Sequence, residues 1–339
     1  MKKQPFGTLP GGEQAFLYTI SRGRLTAEIS DYGATLVRLY VPDGRGELAD
    51  VVLGFDDANG YRCSTTYFGA TVGRNANRIK GASFSLGSET VRLNANDGPN
   101  SHHSGPDSYA FRLWQVERQE KDKIQLLLHS PHLDQGFPGN ADIRVTYAFD
   151  TPDTLSITYE AVSDRDTVFN LTNHSYFNLA GHNNPALAMA QELCMPSECF
   201  NPSDAEGIPT GEMRSVAGTP MDFRQPKAVG QDIHRDYECL RLQAGYDHNF
   251  QVSANPCAIL RDPVSGRTLE ISTDCPGIHV YSGNFFHREK GKDGISYCHR
   301  GGLALETQYC PDSVHHPDWP QPIVKAGEIY CSQTKYTFK

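Results

Sequence analysis

Five segments gather more polar side chains than a connecting loop needs: Gly73-Arg74-Asn75-Ala76-Asn77-Arg78-Ile79, Gly98-Pro99-Asn100-Ser101-His102-His103, Asn170-Leu171-Thr172-Asn173-His174-Ser175-Tyr176-Phe177-Asn178, Gly245-Tyr246-Asp247-His248-Asn249-Phe250 and Gly302-Leu303-Ala304-Leu305-Glu306-Thr307. Taken singly, a histidine or arginine in such a stretch is more often solvated or structural than functional. Two positions stand out. His174 follows a strand-like run and is surrounded by amides and hydroxyls able to fix an imidazole tautomer. Glu306 shares a strand face with Ala304, while Leu303, Leu305 and Thr307 take the other. A carboxyl on a largely apolar face has a raised pKa, which suits a general base near neutral pH. If that face turns to water instead, Glu306 is an ordinary surface residue, and the pattern alone leaves both readings open.

The elements that would carry these residues are short strands. Leu25, Ala27 and Ile29, then Val37, Leu39 and Val41, then Leu155, Ile157 and Tyr159 alternate with polar neighbours, the period of a strand with one buried face. Turn chemistry separates such runs at Asp43-Gly44, Asn96-Asp97-Gly98-Pro99 and Asp262-Pro263-Val264-Ser265-Gly266. The best helical candidate is the short stretch over 227–233. With no low-complexity linker and no evident repeat, the chain reads as all-β, one large antiparallel β-sandwich over residues 1–339.

Composition excludes several classes of function. The 31 Lys and Arg against 40 Asp and Glu leave a net charge of -9, and no basic run tracks phosphates, so neither nucleic acid nor anionic membrane is an expected partner. Residues 1–12 lack the apolar core of a signal peptide, and no stretch approaches membrane-spanning length. The nine cysteines are scattered without a CxxC pair, which reads as reduced thiols in a cytoplasmic protein. The run Val314-His315-His316-Pro317-Asp318-Trp319 has the look of a metal cluster, but no metal site is expected there.

Beyond these local readings, the chain resembles the aldose 1-epimerase (galactose mutarotase) family from about Thr8 onward. The resemblance is carried in order by Gly73-Arg74 with Ala76-Asn77-Arg78-Ile79, residues 170–178, Ile208-Pro209-Thr210-Gly211-Glu212, Gly218-Thr219-Pro220-Met221-Asp222-Phe223-Arg224, Gly245-Tyr246-Asp247-His248-Asn249, Tyr281-Ser282-Gly283-Asn284 and Val324-Lys325-Ala326-Gly327-Glu328. It implies a galactose mutarotase-like β-sandwich that interconverts the α and β anomers of free aldoses such as glucose and galactose without metal or cofactor, as a monomer or homodimer. By the same resemblance Glu306 is the general base, His174 the general acid that protonates the ring oxygen, and His103 a third catalytic group near that oxygen. Asn77, Arg78, Asp247 and His279 bind sugar hydroxyls. Ionisation near neutrality is expected to leave Glu306 charged and His174 protonated through its pairing with a carboxylate.

Two departures from the family pattern matter. Where the family usually has Leu-His-Gly-Gly, this chain has His102-His103-Ser104-Gly105, so two histidines compete for one role, and spacing from Asn100 favours His103. His279 stands where family members often carry Gln, which leaves the preferred aldose open; His248 is expected to be structural. The rival readings are a hexose-6-phosphate 1-epimerase, for which Arg74 and Arg224 would be recruited to the phosphate, and a non-catalytic sugar sensor. A glycoside hydrolase would need two flanking carboxylates and is set aside.

Overall fold

The computed structural model describes residues 2–286 and 288–339. Every strand ladder in them is antiparallel. Three sheets hold most of the strands. The first is a five-stranded meander in chain order, from Lys2–Thr8 to Leu48–Asp50. The second has nine strands, with Ala141–Thr151, Thr154–Ser163 and Ile329–Phe338 at its centre. The third has six strands, ordered Tyr176–Phe177, Leu303–Gln308, Gly277–Tyr281, Asp247–Gln251, Cys199–Phe200 and Arg214–Ser215.

The alternations in the sequence are what pack these sheets. Leu25, Ala27 and Ile29, with Leu39, Val41, Leu155, Ile157 and Tyr159, all fall into one buried cluster. That cluster also takes Leu303 and Leu305, Ile278 and Val280, and Phe250 from the inner face of the six-stranded sheet. Burying each such side chain contributes about 1.5–3 kcal/mol. Leu303–Gln308 is buried along its whole length, because the core covers one face and polar side chains cover the other. The reading of Glu306 as a surface residue is thereby excluded: it is 1% exposed.

The expected turn over Asp262 to Gly266 joins strands Ala258–Arg261 and Thr268–Thr273, with Gly266 N–H donating to the Asp262 carbonyl. The helix expected over 227–233 does not form. Lys227–Ala228 is instead a short strand beside Glu192–Cys194, and the N–H groups of Val229 and Gly230 donate to the carbonyls of Gln191 and Met189. Gly230 within it weakens helix formation, so pairing with a neighbouring segment prevails. The α-helices observed are short, Ala58–Cys63, whose N-cap Asp57 accepts from Gly60 N–H, and Glu238–Leu242. Among the described residues no helix is long and apolar enough to cross a membrane, and all nine cysteines are free thiols.

Candidate active site

On the polar face of the six-stranded sheet the ladder sets the site out in rows. His279 is registered against Asn249 on one side and Glu306 on the other, and Tyr281 against Asp247 and Ala304. Residues opposite one another in a ladder share a face, as do residues two apart along a strand. Asp247, His279 and Glu306 therefore project together, and all three line one cleft of about 160 Å³ with Asn77, Arg78, His102, His103 and His174.

His174 enters from outside this sheet. Its backbone N–H donates to the Ala70 carbonyl, and its carbonyl accepts from Gly69 N–H, fixing it to the segment that carries Tyr67. The imidazole stacks between two phenol rings, 6.0 Å and 23° from Tyr67 and 5.0 Å and 22° from Tyr176. Held in that slot, its Nε2 lies 3.5 Å from Glu306 Oε1. Burial among these rings pushes the His174 pKa down to about 4 and the Glu306 carboxyl well above the usual carboxylate range, with the Asp247 charge adding to the latter. Desolvation thus works against the expected state, a protonated His174 beside an ionised Glu306, by favouring the neutral form of each group.

His103 and Asn77 flank a pair of short strands, Arg78–Ile79 and Ser101–His102. His103 N–H donates to the Asn77 carbonyl at 3.0 Å, and Asn77 N–H returns a bond to His103 Nδ1 at 3.2 Å. That bond leaves the outer face of the His103 ring toward His174, 5.4 Å between centroids. His102 also lines the cleft, its ring 3.9 Å from that of His103, so both histidines face the site and His103 is the one nearer the acid/base pair. Tyr67, Asn77 and His103 all hold left-handed backbone, φ 57°, 58° and 49°. Such conformations cost about 1–3 kcal/mol each and gather at functional sites.

The binding residues are held as firmly. Asp247 Oδ1 accepts from His279 Nε2 at 2.6 Å. Burial works to raise the Asp247 pKa, but the hydrogen bond and charge of His279 outweigh it, with Arg78 assisting, and the carboxyl is held at about 2. Arg78 donates from Nε to Asp97 at 2.7 Å. Asn77 Nδ2 lies 3.5 Å from His279 Nε2. An anionic Asp247 and a fixed guanidinium present acceptors and donors suited to neighbouring hydroxyls.

The remaining sequence candidates lie elsewhere. Arg74 is 1% exposed and donates to Pro138, Ser130 and Thr167, a structural clamp. Arg224 is tied to Asp222 and Glu198. Neither reaches the cleft, where Arg78 is the one Lys or Arg among the described lining residues, so the phosphate pocket that the rival enzyme would build from Arg74 and Arg224 does not form. His248 points into the core against Phe200, as expected of a structural residue. His316 stacks on Trp319 and His315 bonds Asp312, and no group of three or more His, Cys, Asp or Glu among the described residues is placed to hold a metal ion. Sequence reasoning missed Tyr67 and gave no role to Tyr176 and Tyr281, although the latter two lie inside motifs it used. No sequence signal marks Tyr67 beyond the polar-aromatic loop Ser64-Thr65-Thr66-Tyr67.

This burial has a consequence for acid stability. His103, His174 and His248 are all neutral when folded, their pKa values lowered by desolvation, with His248 at about 3. Unfolded histidine titrates near pH 6.5, so below that pH the unfolded chain takes up protons the folded chain cannot. Each such group then costs about 1.4 kcal/mol of stability per pH unit. Glu306 runs the other way, its contribution being fully present below about pH 4.5 and lost as the pH rises. Asp31, its carboxyl raised to about 6 by burial, acts in the same sense as Glu306, but the lowered histidines, His102 among them, outnumber these two carboxyls. The urea midpoint is therefore expected to fall from pH 7 to pH 5, and to fall less in His248→Gln; equal losses in the two proteins would contradict the neutral state of His248.

Comparison with known proteins agrees with this geometry. The family model described as Aldose 1-epimerase matches residues 17–337. Galactose mutarotase of Bos taurus is 38% identical, covering 98% of this chain and 97% of its own, and aldose 1-epimerase of Haemophilus influenzae is 35% identical with both chains covered in full at 100%. An aldose epimerase homologue from C. elegans superposes with a TM-score of 0.87 at 31% identity over 96% of this chain and 99% of its own. Galactose 1-epimerase of Lactobacillus acidophilus does so at 0.86 with 26% identity, over 100% and 98%. With its antiparallel sheets, its His–Glu pair and full-length similarity, the chain belongs to the aldose 1-epimerase family and is an isomerase that acts on the anomeric centre of aldoses.

Proposed function

We propose that Glu306 and His174 carry the anomer exchange, and that the substrates are free aldohexoses such as glucose and galactose. The observation that supports this best is the 3.5 Å separation of His174 Nε2 and Glu306 Oε1 at the base of a cleft lined with hydroxyl-binding groups. Ring opening needs one base and one acid together. The pair holds one proton, and hydrogen bonds from sugar hydroxyls favour the carboxylate, moving that proton to His174. Glu306 takes the proton of the O1 hydroxyl, and the O–H electrons form the C1=O1 bond. The C1–O5 electrons pass to O5, which takes the proton from His174. Rotation about C1–C2 and the reverse steps, with closure on the other face, give the other anomer and restore the pair. His103, neutral and buried, offers a hydrogen bond near O5 as charge develops there.

Asp247, Arg78, Asn77 and His279 hold the remaining hydroxyls in this account. Asp247→Ala removes an acceptor and frees His279, and is expected to raise KM about tenfold or more, a larger effect than on kcat. A kcat loss with unchanged KM would move Asp247 out of the binding set. The function itself is tested by polarimetry of freshly dissolved α-D-glucose and α-D-galactose. The protein should speed the approach to equilibrium rotation, and no acceleration with either sugar would defeat the reading.

A further inference from the structure

Beneath the acid/base pair the ladder continues into one more row. Tyr176 is registered against Ala304, His174 Nε2 lies 3.5 Å from Glu306 Oε1, and the segment Thr172–Asn173 packs against the strand that carries Gln308. On the other side of that strand Gly277 is registered against Gln308, as His279 is against Glu306. Gln308 thus shares the face of Glu306, one row deeper, while Thr307 turns to the opposite face and bonds Thr334.

This deeper row is polar, buried and unpaired. Gln308 is 0% exposed, and neither its amide nitrogen nor its amide oxygen has a partner among the described residues. The same holds for Asn249 Oδ1, Thr172 Oγ1 and Glu306 Oε2. Buried amides without partners are rare because they lose their hydrogen bonds to water on folding. The floor between them is Gly277, where a Cβ would stand 2.7 Å from Asn249 Oδ1 and 3.1 Å from the Gln308 carbonyl. Gly277 lies within a regular strand, so space and not backbone conformation calls for glycine there. Gln308 does not line the sugar cleft, so a bound aldose does not supply the missing bonds.

We propose that Gln308 is a positioning residue for Glu306, acting through an ordered water held over Gly277 by Gln308, Asn249 and Thr172 and bonded to Glu306 Oε2. Same-face neighbours on a strand stand about 7 Å apart, a span that one water closes between two long side chains. A buried water makes two to four bonds, and the Gln308 amide, Asn249 Oδ1, Thr172 Oγ1 and Glu306 Oε2 offer that number between the two rows. The bridge fixes the Glu306 carboxyl so that Oε1 faces His174 and the sugar, and it stabilises the carboxylate that ring opening requires. This rests on Glu306 as the base proposed above.

A high-resolution crystal structure of the wild-type protein tests the water without reference to activity. Density for a water bonded to both Gln308 and Glu306 is expected; a dry pocket, or a direct Gln308–Glu306 bond, overturns the proposal. Kinetics test the role. Gln308→Leu is expected to lower kcat about 10-fold with KM within about twofold, the size typical of a supporting residue behind an active group. It should also move the alkaline limb of the kcat/KM profile, which reports loss of the last proton of the pair, to higher pH. Gln308→Met, which keeps the length of the side chain but removes both amide groups, should do the same and serves if Gln308→Leu fails to fold. Wild-type kcat and an unmoved profile in a folded variant would overturn it. Absence of mutarotase activity in the wild type would instead defeat the acid/base reading.

Discussion

Glu306→Gln is expected to lower kcat for anomer exchange by about 100-fold or more while leaving KM within a few-fold, because the amide keeps the shape of the side chain but cannot take the O1 proton. The side chain is 1% exposed, and its Oε1 faces His174 Nε2 across 3.5 Å. The glutamine fits the same space, so folding should be preserved. His174→Asn should cost a similar factor, and the double variant should be little worse than either single one, since the two groups handle one shared proton and act as a unit. Exchange spectroscopy between the α and β H1 resonances of galactose measures all three. Multiplied losses in the double variant would mean that the two groups act independently, and an undiminished Glu306→Gln would remove Glu306 from the chemistry.

Lys292→Met carries the largest expected cost to stability, about 3–5 kcal/mol, the size typical of breaking a buried pair by removing one partner. The Lys292 ammonium is 0% exposed and donates to Asp50 Oδ2 at 2.6 Å and to the carbonyls of Val37 and Val52 at 2.7 and 2.8 Å. Asp50 also accepts from the backbone N–H of Leu39, so the pair ties the segment around Lys292 to the five-stranded sheet. Removing the ammonium leaves a buried carboxylate and two carbonyls short of a donor. The same segment brings Phe286 and Glu289 to the rim of the cleft, so a rise in KM should accompany the loss. Arg144→Ala is the control. Its pair with Glu117 is partly exposed and should contribute no more than about 1 kcal/mol. Equilibrium urea unfolding decides, and a Lys292→Met protein as stable as Arg144→Ala would show that the buried pair is dispensable.

How far the sequence reached follows from what each signal encodes. Strand alternation such as Leu155, Ile157 and Tyr159 reports burial directly, and those residues lie in the core. The 227–233 stretch misled because its backbone groups are satisfied by Gln191 and Met189, partners that local propensity cannot see. At the site, period two placed Glu306 on the face of Ala304 but could not say what covered that face; the cover includes Tyr67, Asn77 and His174, brought in by segments more than a hundred residues away. The direction of the His174 shift was out of reach for the same reason. The pKa of His174 depends on its slot between Tyr67 and Tyr176, and Tyr67 reaches that slot through left-handed backbone that no motif announces. Lys292 is a lysine like any other in the sequence, and its complete burial is visible only in three dimensions.

The central claim, that a His–Glu pair exchanges anomers by opening the C1–O5 bond, is tested most directly by following freshly dissolved α-D-galactose with the wild-type protein in oxygen-18-labelled water. Ring opening keeps O1 on the sugar throughout. The account therefore predicts a rapid, protein-dependent change in optical rotation with no matching gain of label at C1. Label entering in step with the rotation would show that the C1–O1 bond is the one that breaks, as in a displacement by water, and would contradict the assignment of Glu306 and His174.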